Sequence, residues 1–221
     1  MTKVEFRGLS YDPAQVILRL SEFLTEERLE KIINVVERRS HFFIPVLENL
    51  YDRGNVSAVM RSSEAFGFYK MHVVQTNDSF KESKRVTQGA EKWLEVEMWS
   101  EVKSCVNLLK NKGYNVFTTS LSDDAKPFSE IDFSQKTAIV LGNEKEGVSE
   151  EVKALSDGNV LLPMQGFTQS FNISVAAALC FQTAKEKNPP VVDEEERTRL
   201  KALYILKTLS WSDKALAQTF Q

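Results

Sequence analysis

The sequence predicts an α/β domain with a mainly parallel sheet flanked by helices, with helical extensions at both ends. Three observations carry this. Short apolar runs of strand length recur at residues 42–47, 69–74, 116–119, 137–141 and 160–162. Segments with helical spacing of apolar residues separate them, and that alternation is the pattern of β-α-β units. The chain has 221 residues, 42% hydrophobic and 27% charged, which is enough apolar material for a sizeable core and too much for disorder.

Residues 1–40 read as a helical N-terminal extension. Thr25 is placed to cap a helix with Glu26 and Glu27 in its first turn, followed by Leu29, Ile32, Ile33 and Val36 at helical spacing. The core is expected over 41–187. Its first strand contains Pro45, which donates no ladder hydrogen bond and so weakens the strand pattern. Asn55 reads as the cap of a helix over 56–66, with Gly67 at its stop. Strands follow at 69–74 and 93–98, and Ser100 opens an amphipathic helix through Val102, Val106, Leu108 and Leu109 that Gly113 closes. Strands at 116–119 and 137–141 come next, then a short helix capped by Ser149, a strand at 160–162 and an alanine-rich helix over 174–185. Residues 188–221 form a C-terminal extension. Asn188, Pro189 and Pro190 end the preceding helix, and Asp193 to Glu196 place acids at the positive end of a new one.

Charge and composition exclude several functions. The chain has 28 basic and 31 acidic residues, a net charge of −3, so any nucleic-acid contact has to come from local basic patches. Cys105 and Cys180 both sit in apolar helical patterns, which argues against a disulfide framework or zinc site and suits a reducing compartment. No secretory h-region opens the chain, and no apolar run approaches the ~18–20 residues of a membrane span. The expectation is a cytoplasmic protein with no membrane partner and no metal.

An open α/β sheet binds ligands beyond the carboxyl ends of its strands, so the loops there are the candidates. The loop from Gly142 to Gly147 follows an apolar strand and has the glycine spacing of a phosphate loop. Val148 and Ser149 stand where the phosphate-binding lysine would be, and Glu144 and Glu146 would repel phosphate. No G-x-G-x-x-G occurs in the chain. Arg53-Gly54-Asn55 leads into a helix carrying Arg61, and the stretch from Leu162 to Asn172 enters the alanine-rich helix. Taken singly, Asn55 and Asn172 read as caps, Arg61 as a solvated side chain and Gly166 as a turn residue.

In combination and in this order, the segments 55–61, 142–147 and 162–172 closely resemble the three signature motifs of the SpoU/TrmH branch of the SPOUT RNA 2′-O-methyltransferases. The resemblance spans about 42–187, includes Gly89-Ala90-Glu91-Lys92-Trp93, and is most specific at Ser170-Phe171-Asn172-Ile173-Ser174-Val175-Ala176. It implies a SPOUT fold with a deep C-terminal trefoil knot, a homodimer, and S-adenosyl-L-methionine as cofactor. Carried over by position, Gly142, Glu144, Gly147, Leu162, Met164 and Phe171 would surround the cofactor, and Asn55, Arg61, Glu144, Ser170 and Asn172 would serve catalysis. Arg61 matches the arginine implicated in activating the ribose hydroxyl. A guanidinium stays charged, so its physically easier role is to hold the neighbouring phosphate and stabilise alkoxide charge.

For RNA contact the candidates are Lys84 and Arg85, within a basic strip at 81–85, together with Arg39 and Arg53. The C-terminal helix resembles the tail of the family's tRNA guanosine enzymes, and the expected substrate is guanosine 18 in the D-loop of tRNA. Two departures bear on the substrate. Gly54 stands where those enzymes often have histidine, and 193–196 is acidic where their extensions are commonly basic. The alternatives are the same chemistry on ribosomal RNA or another tRNA position, and an RNA-binding protein that keeps the fold without catalysis.

Overall fold

The computed structural model describes residues 2–75, 87–143, 145–187, 192–209, 211 and 213–220. The chain divides into two compact units. One is Ser40–Pro189, and the other is built from both chain ends, Met1–Arg39 and Pro190–Gln221.

In the end unit, a hairpin of β1 (Val4–Phe6) and β2 (Leu9–Tyr11) precedes α1 (Pro13–Leu20) and α2 (Glu26–Val36). The hairpin departs from the all-helical reading of the N-terminus. Its two-residue turn places Arg7 and Gly8 at φ +51° and +77°, the left-handed geometry that matches the twist of paired strands. In the same unit, α7 (Glu194–Thr208) starts at Asp193, as its acids predict, and buries Leu200 and the run from Ala202 to Leu206 against β1, α1 and α2. The last element of this unit is α8 (Asp213–Thr219).

The Ser40–Pro189 unit runs β3 (Phe43–Glu48), α3 (Arg53–Phe66), β4 (Lys70–Val74), β5 (Glu95–Trp99), α4 (Val102–Asn111), β6 (Asn115–Thr119), β7 (Lys126–Pro127), β8 (Thr137–Leu141), α5 (Glu150–Leu155), β9 (Gly158–Leu161) and α6 (Ile173–Lys187). Among the described residues, seven strands lie in the order β5-β4-β3-β8-β6-β9-β7, and every adjacent pair is parallel. Both faces are covered at the central strands β3 and β8, which is why those two sequences are almost continuously apolar. On β3 and β8, Phe43, Leu47, Ile139 and Leu141 face one core with Val59 and Met60 of α3 and Cys180 and Phe181 of α6. The alternate residues Ile44, Val46, Ala138 and Val140 face a second core with Cys105 and Leu109 of α4 and Val152 of α5. Both cysteines are buried free thiols, and desolvation pushes each up to about 12. Pro45 is accommodated because the ladder to β4 begins at Val46, directly after it.

The strand order decides where the loops go. Strands β3, β4 and β5 step outward to one edge, and the chain then crosses back to lay β6 on the other side. Strand β8 fills the slot between β3 and β6, so the carboxyl ends of β3, β8, β6 and β9 stand side by side. That is the topological switch point at which open α/β sheets place their ligands.

Candidate active site

The loops after β6, β8 and β9 wall a cleft of about 600 Å³, within the range of about 300–1,000 Å³ usual for small-ligand sites. Residues 119–121 form one wall, and Leu141, Gly142, Asn143 and the segment 145–148 another. Leu162, Met164, Ser170 and Phe171 close it, with Ile173 and Ala176 at the start of α6.

The Gly142–Gly147 loop is closed tightly on itself. Backbone bonds run both ways between Asn143 and Gly147, at 3.0 and 2.9 Å. The buried Asn143 side chain turns inward and accepts from the N–H groups of Lys145 and Glu146, at 2.7 and 3.0 Å. A Cβ on Gly142 would stand 2.2 Å from the carbonyl carbon of Gly147 and 2.3 Å from the nitrogen of Val148, so only glycine fits. The loop is then tied to the sheet from outside. Ser149, the N-cap of α5, donates through its N–H and its hydroxyl to the carboxylate of Glu48 at the end of β3.

The first and third motif segments meet directly. The Asn172 amide N–H donates to Asn55 Oδ1 at 3.1 Å, a contact between residues 117 apart in sequence. Asn172 Oδ1 accepts from the Ser174 N–H at 2.9 Å, so it caps α6 as its position predicts. Asn55 is not a cap. Asp52 takes that duty, accepting from the Asn55 N–H at 3.0 Å, which places Asn55 in the first turn of α3 with its side chain facing Asn172. Arg61 is exposed further along α3 and lies outside the cleft wall. Six residues turn a helix by about 240°, so Arg61 and Asn55 occupy different faces.

The other sequence-derived candidates separate into groups. Gly142, Gly147, Leu162, Met164, Ser170, Phe171 and Asn172 all line the cleft. Arg53 is exposed at the first position of α3. Arg39 corrects its expected place at an RNA-contacting surface. It is 1% exposed, with its guanidinium 5.5 Å from the ring centroid of Tyr204, so packing claims the side chain. Glu144, Lys84 and Arg85 lie outside the described residues.

Sequence reasoning missed Asn143, Glu48 and the 119–121 wall. An acid ending an otherwise apolar strand was the readable signal for Glu48. Neither histidine of the chain lines the cleft. His72 is buried on β4, where it accepts from the Trp99 indole N–H at 2.8 Å, and burial lowers its pKa against the opposing pull of Glu97. Among the described lining residues, the acid is Glu146.

Comparison with known proteins agrees with this geometry. Residues 43–182 match the SpoU rRNA Methylase family. A tRNA (guanosine(18)-2′-O)-methyltransferase of Thermus thermophilus is 35% identical over 178 residues, covering 80% of this chain and 86% of the relative. The crystal structure of the A. aeolicus TrmH/SpoU tRNA modifying enzyme superposes with a TM-score of 0.77 at 28% identity, over 84% of this chain and 98% of that one. The SpoU methyltransferase AviRb from Streptomyces viridochromogenes, crystallised with AdoMet, shares the fold with a TM-score of 0.61 at 21% identity, over 70% of this chain and 63% of that one. With its cleft at the switch point and its sequence matched from the first core strand into the last core helix, the chain belongs to the SpoU family of RNA methylases.

Proposed function

We propose that the protein transfers a methyl group from S-adenosyl-L-methionine to a ribose 2′-hydroxyl of tRNA, at guanosine 18 of the D-loop. The observation that carries this reading is the convergence of three separated segments on one cleft. The Gly142–Gly147 loop and the Leu162–Asn172 stretch supply its walls, and the Asn55–Asn172 bond draws in the helix that bears Arg61. The residues present fit the cofactor. Leu141, Val148, Leu162, Met164 and Ile173 offer an apolar wall suited to adenine, and the glycine-closed loop leaves backbone groups accessible at the rim.

The bound cofactor supplies an already activated, electrophilic methyl group. The protein therefore has to align the acceptor and ease loss of its proton. Asn55, Ser170 and Asn172 offer hydrogen bonds to order the ribose, and Arg61 holds the adjacent phosphate and stabilises alkoxide charge. Glu144 is assigned to the same pocket by its position in the second motif. Arg53, Lys84 and Arg85 supply phosphate contacts.

The active form in this reading is a homodimer with each site completed near the subunit interface, which brings Arg61 to the reaction centre. Val175 and Leu179, four residues apart along α6, and Phe171 just before the helix are each at least 40% exposed, an apolar patch that supports burial against a second copy. The deep trefoil knot belongs to the same proposal, as does residence in the cytoplasm. Among the described residues, no helix is long and apolar enough to cross a membrane.

The test is methyl acceptance from labelled S-adenosyl-L-methionine by separate tRNA and ribosomal RNA pools, followed by nucleoside mapping. Label at guanosine 18 of tRNA is the expected result. Label in ribosomal RNA or at another tRNA position would reassign the substrate, and RNA binding without cofactor binding or transfer would make the protein a non-catalytic binder. The RNA footprint has its own readout. Lys84→Glu with Arg85→Glu should weaken tRNA binding and flatten its salt dependence by roughly one unit of log–log slope per lost phosphate contact. An unchanged slope would remove that strip from the footprint.

A further inference from the structure

We infer that Glu48 is a positioning residue for the cofactor loop, and that its bond to Ser149 ties the strand feeding the substrate-side helix to the loop that holds S-adenosyl-L-methionine. The inference rests on the cofactor assignment above and deepens it. Glu48 is 2% exposed at the end of β3, and both of its carboxylate oxygens are used. One accepts from the Ser149 N–H at 2.9 Å, and the other from the Ser149 hydroxyl.

The register explains the reach of this bond. Leu47 pairs with Leu141, so Glu48 stands level with Gly142, the first residue of the loop. Side chains alternate along β3, so Glu48 points to the sheet face where α5 begins. Ser149 directly follows Val148, whose nitrogen is among the atoms crowding the missing Cβ of Gly142. Holding Ser149 therefore sets how closely Gly147 and Val148 fold back over Gly142. A shift of a few tenths of an ångström there would reshape the cleft wall.

The other end of the tie is equally constrained. Asn49, immediately after Glu48, has φ +50° and donates its N–H to Val74 at 2.9 Å, so the chain leaves β3 in one direction toward Asp52 and α3. A carboxylate suits this place better than an apolar side chain. A half-buried Ser149 N–H left without a partner is costly, and a charged acceptor makes a stronger bond than a neutral one.

The experiment compares Glu48→Gln, Glu48→Ala, Ser149→Ala and the Glu48→Ala/Ser149→Ala pair in the full chain. It measures S-adenosyl-L-methionine affinity, KM for cofactor and tRNA, kcat and Tm. Glu48→Ala should raise the cofactor KM on the order of tenfold with a smaller change in kcat, and Ser149→Ala should raise it less. Glu48→Gln retains an acceptor and should restore much of the affinity. The double variant should resemble Glu48→Ala rather than the product of the two single effects. A lower Tm with cofactor KM within twofold of wild type would overturn the inference and make Glu48 a packing residue, as would multiplicative effects. Should Glu48→Ala fail to fold, Ser149→Ala and Glu48→Gln carry the same decision. Failure of the wild-type protein to bind S-adenosyl-L-methionine would overturn the cofactor assignment itself, and is read before any variant.

Discussion

Helices in the two units start with the same device, put to different use. In the end unit, Asp12, Thr25 and Asp193 cap α1, α2 and α7 by accepting from the N–H three residues on. These are local bonds, complete within a single turn. At the cleft, Ser149 and Asn172 also cap helices, and each makes a second bond to a residue more than a hundred positions away. Ser149 reaches Glu48 and Asn172 reaches Asn55. A cap in the end unit stabilises its own helix, whereas a cap at the cleft also fixes where that helix begins relative to the opposite strand or helix. A site that must hold reacting atoms within a fraction of an ångström gains from that second bond.

Substitutions can break or sharpen this contrast. The largest effect is expected for Arg61→Ala, which should lower methyl transfer by roughly 10²–10³-fold, the scale of a lost transition-state donor. S-adenosyl-L-methionine affinity should stay near wild type, as befits a side chain outside the cleft wall. Equal loss of binding and transfer would make Arg61 structural.

Gly142→Ala comes next. Its Cβ meets backbone rather than a movable side chain, and such overpacking costs about 1–3 kcal/mol, or roughly tenfold to a hundredfold in cofactor affinity by calorimetry. Unaltered affinity would mean that the loop does not hold the cofactor.

The sharpest comparison pairs two cap removals. Asn172→Ala and Asp193→Ala should each cost about 1 kcal/mol of stability in chemical denaturation. Asn172→Ala should also slow transfer, because its bond to Asn55 is lost, while Asp193→Ala should leave kcat and cofactor KM unchanged. Equal activity loss in both variants would abolish the distinction between local and doubled caps.

Much of the fold could be read before any coordinates. The strand at Thr137–Leu141 was placed to the residue, Thr25, Ser149 and Asn172 cap the helices they were expected to cap, and the acids from Asp193 to Glu196 stand at the start of a helix as expected. These are local signals, an apolar run of fixed length or a polar side chain one turn from a free N–H. The misreadings arose where local signals compete. Asp52 and Asn55 both suit a helix start, and the three-residue spacing that lets Asp52 bond to the Asn55 N–H decided for the former. Arg39 looked like a surface charge because arginine usually is one, and no periodicity shows that Tyr204, 165 positions later, lies beside it. The N-terminal strands, of three residues each, are shorter than any alternation can establish.

By itself, then, the sequence determined the kinds of element, their order, and the loops in which chemistry could reside. Only the tertiary structure decided that β8 lies between β3 and β6, that Asn55 meets Asn172, and that Glu48 closes on Ser149. The physical reason is range. Helix and strand periodicity arise from contacts a few residues apart and leave a regular imprint on the chain, whereas a hydrogen bond between residues 101 or 117 apart leaves none.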